Sequence, residues 1–344
     1  MKVAVLTQGK NIPSTRFRVS QYADKFNSKD INLIFYHAKK SAYPPVSKWQ
    51  RFAWFISEVT HRLGQIRTIN NSDIDCVILQ RELISTLPTL ERFIRKPIIF
   101  DVDDAIFLRK KGLAAKTIAS LASHITCGNS YLADYFKQFN KPLSIIPTPV
   151  DTSRFTPKPV STEQLFLGWS GSSSGFKYLY EIESGLIDAL SACPDWKLLI
   201  IADVKPRFKQ LPDEKVVFIK WSPEVEVSAI QRMSIGLMPL QDDPWSNGKC
   251  SYKMLLYMAC AIPCVVSNVG MNKDILQQAE VGIGVENIAD WGAELTGLMN
   301  NYELRQRLGC AGRYLTEEKY SLDSASSCWF DIFASMTSVT GAPS

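Results

Sequence analysis

Short apolar runs rich in β-branched residues alternate along the chain with longer segments whose apolar positions recur at helical spacing. In the first half, Lys2 to Thr7, Ile31 to His37, Asp75 to Gln80, Pro97 to Val102, His124 to Cys127 and Leu143 to Pro147 predict one set of strands. A second set follows at Leu165 to Trp169, Lys197 to Ala202, Lys215 to Trp221, Ile235 to Leu240, Pro263 to Ser267 and Gly282 to Val285. Buried strands alternating with helices are the mark of parallel sheets wrapped by crossover helices. Because the alternation occurs twice, two doubly wound, Rossmann-like α/β domains are expected. Between them Pro147-Thr148-Pro149-Val150-Asp151, followed by Pro157 and Pro159, stops helix propagation. The expected division is 1–155 and 156–321, with a last helix at 322–336. Ligands of such sheets bind beyond the carboxyl ends of the strands, so facing domains put the expected site in a cleft between them.

One helical segment has a different composition. From Lys48 to Thr68, Trp49, Phe52, Ile56, Val59, Leu63 and Ile66 follow a three-four spacing, Trp54 and Phe55 widen the apolar face, and Lys48, Arg51, Arg62 and Arg67 flank it. Such an amphipathic helix either packs on its own sheet or docks on a membrane surface, where aromatic and basic residues act together.

Composition narrows the class. At 344 residues the chain exceeds what one core usually organises, which supports two domains. A 46% hydrophobic and 21% charged make-up is that of a packed globular protein rather than a disordered one. No run reaches the ~18 apolar residues of a membrane span, and the start MKVAVLTQGKN is too short for a signal-peptide core. A cytoplasmic protein is expected, and a periplasmic two-domain binding protein is disfavoured for want of an export signal. The eight cysteines show no CxxC pairing and read as free thiols in apolar patterns. A net charge of +5 without a Lys/Arg block argues against nucleic acid and suits phosphate ligands.

Two stretches carry candidate phosphate chemistry. In DPWSNGKCSYKMLLYMACAIPCVVSNVGMN, from Asp243 to Asn272, the turn Ser246-Asn247-Gly248 leads into a helix expected from Lys249 to Cys260. Free amides at its start, with Lys249 and Lys253 one turn apart, would hold a diphosphate; a solvated lysine face is the alternative. Leu167 to Lys177 reads as a strand end entering a Gly/Ser-rich loop and then a helix, where backbone amides can approach an anion. It fits neither the P-loop nor the GxGxxG spacing. His37 and His124 lie in strand patterns and read as structural, and His61 carries no clear signal.

Together these segments resemble the group 1 (family 4) retaining glycosyltransferases of the GT-B fold over nearly the whole chain. The motifs are Asp101-Val102-Asp103-Asp104-Ala105, Pro147 to Asp151, Gly168 to Ser172, Met238 to Leu240 and Gly248 to Lys253, continued by Tyr257-Met258-Ala259 and Ser267 to Asn272. The resemblance implies an N-terminal acceptor domain, a C-terminal nucleotide-sugar domain and a last helix that crosses back to the first domain. It implies that Trp221 and Ser222 lie near the nucleotide base, that Gly171, Ser172, Lys177, Gly248, Lys249 and Lys253 surround the donor, and that Gly9 approaches it from the first domain; a plain turn glycine is the alternative. No bound cofactor is expected beyond the co-substrate, a UDP or GDP sugar ahead of others. The expected acceptor is a glycan or lipid-linked glycan of cell-surface polysaccharide synthesis. That would put the protein at the inner face of the cell membrane, with 48–68 as the contact.

Two departures stand out. The family's two glutamates fall at Gly248 and Leu256, and its His-Asp pair falls at Asp103-Asp104. Asp101, Asp103 and Asp104 admit three readings: a loop cluster with a helix-capping Asp104, a divalent-metal site, or a metal-free role in which Asp103 or Asp104 orients the acceptor hydroxyl or stabilises charge at the anomeric carbon. The expectation taken forward is metal-free catalysis by Asp103 and Asp104. Arg16 and Arg18, two apart, point to different faces, so only one can face the cleft to bind an anionic acceptor group; a surface salt bridge is the alternative. The missing glutamates also leave open a catalytically silent subunit that binds a sugar nucleotide or glycan.

Overall fold

The computed structural model describes residues 1–10, 12–39, 45, 47–84, 90–158 and 165–340. Pro159 of the expected linker lies outside them. The strands are β1 Lys2–Thr7, β2 Asn32–His37, β3 Cys76–Gln80, β4 Ile98–Val102, β5 His124–Cys127 and β6 Leu143–Ile145, then β7 Leu165–Ser170, β8 Trp196–Ala202, β9 Val216–Lys220, β10 Ile235–Met238, β11 Cys264–Ser267 and β12 Gly282–Val285. Every predicted strand is present, with ends shifted by at most two residues. The reason is burial on both faces: Val3, Ala4, Val5 and Leu6 of β1, like Leu198 to Ala202 of β8, have no exposed surface, so their composition is apolar without alternation.

All strand pairs are parallel, in two six-stranded sheets ordered β2-β1-β3-β4-β5-β6 and β12-β11-β10-β7-β8-β9. In each sheet the crossover direction reverses once, between β1 and β3 in the first and between β7 and β10 in the second. Such a reversal parts the helices at the carboxyl ends of the two strands and leaves room for a ligand there.

The contacts divide the chain into one unit of Met1–Pro149, Gly248–Cys250 and Leu322–Ser344, and another of Val150–Asn247 and Ser251–Ser321. The boundary therefore falls six residues before the expected 155/156. The cause is local: the Val150 amide donates to Tyr320 O at 2.8 Å, and the Arg313 guanidinium donates to Thr152 O and Phe155 O at 3.0 and 2.6 Å. These bonds tie 150–155 to the second unit.

The helix Leu322–Thr340 packs within the first unit. Leu322, Ala325, Trp329, Ile332, Phe333 and Met336 form its apolar stripe and join Val19, Tyr22 and Phe26 in one core cluster. Trp329 meets Tyr22 and Phe26 edge-on, with ring centroids 6.3 and 6.4 Å apart.

The helix Lys48–Asn70 corrects the sequence expectation. Its buried residues are Trp54, Glu58, Arg62, Ile66 and Ile69. Arg62 pairs with Glu58 at 3.3 Å and donates to Thr7 O at 2.6 Å and Tyr36 O at 3.3 Å, covering carbonyls at the ends of β1 and β2. Burial lowers the Arg62 pKa to about 10 against the pull of Glu58. Arg62 is thus no basic flank of an apolar face. Of the expected apolar stripe only Ile66 is turned fully inward, while Trp49, Phe52, Ile56 and Leu63 are exposed.

Candidate active site

In the second unit the switch point is built around Trp169 and Tyr257. The Ser170 amide, at the end of β7, donates to Tyr257 Oη at 2.9 Å, which fixes the helix Tyr252–Ala259 over the sheet. A Cβ on Gly171 would lie 2.6 Å from both Lys253 Cε and Trp169 Cη2, so only glycine allows Lys253 to lie against this turn. The Lys253 ammonium sits 5.5 Å from the Trp169 ring centroid, within cation–π range.

The amides of this loop are not arranged as the sequence suggested. Gly171 N donates to Ile201 O at 3.0 Å, Ser173 N to the Asp203 carboxylate at 2.6 Å and Gly175 N to Ser172 O at 2.9 Å. Asp203 also accepts from Ser173 Oγ at 2.8 Å. Burial would raise the Asp203 pKa, but these bonds from Ser173 outweigh it and hold the carboxyl below its ordinary value. Ser172 is exposed with its hydroxyl 2.7 Å from that of Ser174, and Lys177 is exposed with its ammonium 4.5 Å from the Tyr178 ring centroid.

Across the same edge, Trp221 follows β9. Its indole Nε1 donates to Glu226 at 3.0 Å, and Glu226 also receives Arg154 at 3.2 Å. Ser222 O accepts the Glu226 amide at 3.1 Å, so the turn that positions Trp221 and Ser222 closes on itself. Gly171, Ser172, Lys253, Trp221 and Ser222 are all at the carboxyl-end rim of this one sheet.

The expected helix start at Lys249 is corrected. Ser251 has a left-handed backbone, φ 47, and its hydroxyl donates to buried Asn272 Oδ1 at 2.7 Å. The helix opens only at Tyr252, so Lys249 and Lys253 do not share it. Gly248–Cys250 belongs instead to the first unit. A Cβ on Gly248 would lie 2.6 Å from Ala105 Cβ, the Cys250 thiol donates to Asp103 O at 3.2 Å, and Asn129 Nδ2 donates to Lys249 O at 3.0 Å. Leu256, at the second departed glutamate position, is buried.

The first unit gathers the carboxylates, and the structure separates their roles. Asp101 is fully buried and receives Arg18 through both oxygens, with Nε at 3.1 Å from Oδ2; Thr126 donates to Oδ1 at 2.7 Å. Arg18 is 1% exposed and also donates to Ile146 O. Burial disfavours its charge, yet Asp101 more than compensates and holds the pKa above the ordinary value. This corrects the expectation that Arg18 binds an acceptor: it is a core ion pair. Arg16 is half-buried with its guanidinium 5.0 Å from the Phe17 ring centroid.

Asp103 and Asp104 are both paired with Arg81, a residue the sequence reading missed. Arg81 Nε lies 3.0 Å from Asp103 Oδ1, and its NH2 group bonds Asp104 Oδ2. Arg81 follows β3 at the switch point and has a left-handed backbone, φ 61, an uncommon state for a non-glycine residue. A signal existed: carboxylates so close together need a cation, and Arg81 directly follows a buried strand. Burial pushes the Asp103 carboxyl up, but Arg81 and then Arg18 prevail and hold it below its ordinary value. Asp104 is held above its ordinary value by burial and by the charge of Asp103, with Arg81 and Lys249 pulling the other way. Among the described residues no group of three or more His, Cys, Asp or Glu side chains is disposed to hold a metal ion.

Gly9 follows β1 at the same switch point with φ 156, and its nearest side-chain atom to a built Cβ is Ile12 Cδ1 at 3.3 Å. Its backbone angle accounts for the glycine. His37 Nδ1 is 2.8 Å from Thr7 Oγ1 and His124 Nε2 is 3.0 Å from Ser144 Oγ, in keeping with structural roles.

Residues 165–301, which hold β7 and the Trp221 and Lys253 segments, match the family described as Glycosyl transferases group 1. No curated protein matches the chain by sequence. Among solved structures, sucrose-phosphate synthase from Thermosynechococcus elongatus is similar with a TM-score of 0.74 and 12% identity, over 98% of this chain and 99% of that one. HepE from Anabaena, in complex with UDP and glucose, has a TM-score of 0.69 at 12% identity, over 97% of this chain and 100% of its own. WaaG, a glycosyltransferase involved in lipopolysaccharide biosynthesis, has a TM-score of 0.68 at 13% identity, covering 99% and 100%. The fold is α/β of the GT-B class.

Proposed function

We propose that the protein is a glycosyltransferase that moves a sugar from a nucleotide diphosphate sugar, UDP- or GDP-linked, to a glycan or lipid-linked acceptor. The observation that carries this reading is the Gly171–Trp169–Lys253 contact at the second switch point, inside the segment that matches the group 1 family. A protein of the same fold holds UDP and glucose. Lys253 and Lys177, with Ser172, take the diphosphate, and the Trp221-Ser222 turn takes the base. Asp104, at 26% side-chain exposure against 13% for Asp103, is the carboxylate that orients the acceptor hydroxyl. Asp103, held ionised by Arg81, supports positive charge at the anomeric carbon, and Lys249, Gly248 and Gly9 complete the donor contacts. Arg16 meets an anionic group on the acceptor.

In the proposed reaction the bond from the anomeric carbon to the diphosphate oxygen breaks and a bond to the acceptor oxygen forms. The acceptor proton passes to the departing phosphate oxygen, and configuration is retained. Stabilising the leaving diphosphate supplies most of the barrier reduction, without an obligatory metal. We place this transfer in cell-surface polysaccharide synthesis, at the inner face of the cell membrane. The test is turnover of UDP and GDP sugars, with and without EDTA, followed by NMR of the anomeric proton. Retained configuration and indifference to EDTA are expected. Donor binding without transfer or hydrolysis would favour the silent-subunit reading.

Two results are expected of variants here. Gly171→Ala should weaken nucleotide diphosphate binding by about tenfold because the new methyl displaces Lys253, while overpacking costs about 1–3 kcal/mol of stability. Titration beside a thermal melt checks it, and unchanged affinity would remove Gly171 from the donor site. For Asp104, turnover should rise with pH through a value above the ~3.9 of a free aspartate. Lys249 favours the charged carboxylate, so Lys249→Met should move that limb to still higher pH. A profile that does not move would show that Asp104 ionisation does not govern the rate.

A further inference from the structure

The helix Lys48–Asn70 presents its polar side to the protein and its aromatic side to solvent. Glu58 and Arg62, its buried ion pair, face inward with Trp54 and Ile69. Trp49 is 86% exposed, Phe52 64%, Ile56 47% and Leu63 41%. At 3.6 residues per turn these four fall in a sector about 60° wide, so they form one stripe along the helix. A stripe of this kind, with Trp49 almost wholly and Phe52 mostly in water, has no role in the core of its own unit.

Charge identifies the occupant. Lys48, Arg51 and Arg67 on this helix are exposed, and Glu58, its one acidic residue, is buried against Arg62. The exposed surface of the helix therefore carries cations and no carboxylate. Aromatic side chains flanked by lysine and arginine suit the headgroup boundary of an anionic bilayer, where the rings enter the acyl edge and the cations meet lipid phosphates. No helix among the described residues is long and apolar enough to cross a membrane, so contact by this helix is with the surface.

We propose that the exposed face of Lys48–Asn70 docks the protein on an anionic phospholipid bilayer. The inference deepens the proposed transfer at a membrane face by naming the element and the lipid charge, but its test needs no turnover. Wild-type protein is sedimented with vesicles of phosphatidylcholine alone and of phosphatidylcholine with phosphatidylglycerol, at low and high salt. The expected result is binding to the anionic vesicles, weakened several-fold by high salt and by Lys48→Gln with Arg51→Gln, and about tenfold by Trp49→Ala with Phe52→Ala. All four side chains are exposed, so melting temperatures should not change, and donor hydrolysis in solution should be the same in the variants as in the wild type. Failure of the vesicle assay with donor hydrolysis intact would overturn the docking and spare the transferase reading. Vesicle binding without any donor turnover would do the reverse. Equal binding by the Trp49→Ala, Phe52→Ala variant would overturn the proposal, as would a dimer in solution that this variant abolishes, since the face would then belong to a second copy of the chain.

Discussion

Replacing Lys253 by alanine is expected to raise the dissociation constant for a nucleotide diphosphate by between about tenfold and a hundredfold and to leave the fold intact. The size follows from losing one charge-assisted hydrogen bond, about 1.5–3 kcal/mol. The specificity follows from position. Lys253 stands in the first turn of the helix Tyr252–Ala259, where the helix dipole already favours an anion, and its ammonium is 5.5 Å from the Trp169 ring centroid. The backbone beneath it is also held by the bond from the Ser170 amide to Tyr257 Oη, so the helix should keep its place in the variant, which a thermal melt beside the titration checks. Lys253→Arg should recover part of the affinity, because charge is kept while the donor geometry changes. An alanine variant that binds as tightly as the wild type would move the diphosphate away from this switch point.

Arg18→Ala is expected to destabilise the first unit by about 3–5 kcal/mol, the usual result of stripping one partner from a buried ion pair. The variant leaves Asp101, fully buried, with Thr126 as its remaining donor, and frees the carbonyl of Ile146. A melting temperature lower by on the order of 10 °C should follow. Arg18→Lys should rescue little, since an ammonium cannot reproduce the two-point contact with both carboxylate oxygens. An Arg18→Ala protein that melts like the wild type would contradict the pairing. For Arg16→Ala, by contrast, an altered KM for acceptor is the expected signature.

These two residues mark where the sequence was legible and where it was not. The strands were readable because parallel strands are buried on both faces, so Val3 to Leu6 or Cys264 to Val266 carry apolar side chains at consecutive positions. The two reversals of sheet order fall at the loops after β1, β3, β7 and β10, and the motifs at Gly9, Gly171 and the Gly248–Lys253 stretch lie on or beside such loops, whereas Asp103-Asp104 and Trp221 follow the neighbouring strands β4 and β9.

What failed were partnerships and faces. Arg18 and Arg16 look alike in sequence; only the placement of the helix Pro13–Arg18, which brings Arg18 to Asp101 of β4, tells them apart. The spacing of Lys48–Thr68 correctly marked a helix, but periodicity cannot say which of two adjoining stripes faces the sheet. The buried Glu58–Arg62 pair, which caps the carbonyls of Thr7 and Tyr36, settles it against the aromatic stripe. The helix start at Lys249 was missed because a left-handed serine has no sequence signature as clear as glycine's. Arg81 escaped because its partners lie 22 and 23 residues away in the chain.

The most direct measurement is calorimetric titration of the purified wild-type protein with UDP, GDP, dTDP, ADP and CMP. Micromolar, one-to-one binding of UDP or GDP is the result expected if the rim around Gly171, Lys253 and Trp221 is a nucleotide diphosphate site. Binding of none of the five would contradict the transferase account at its base.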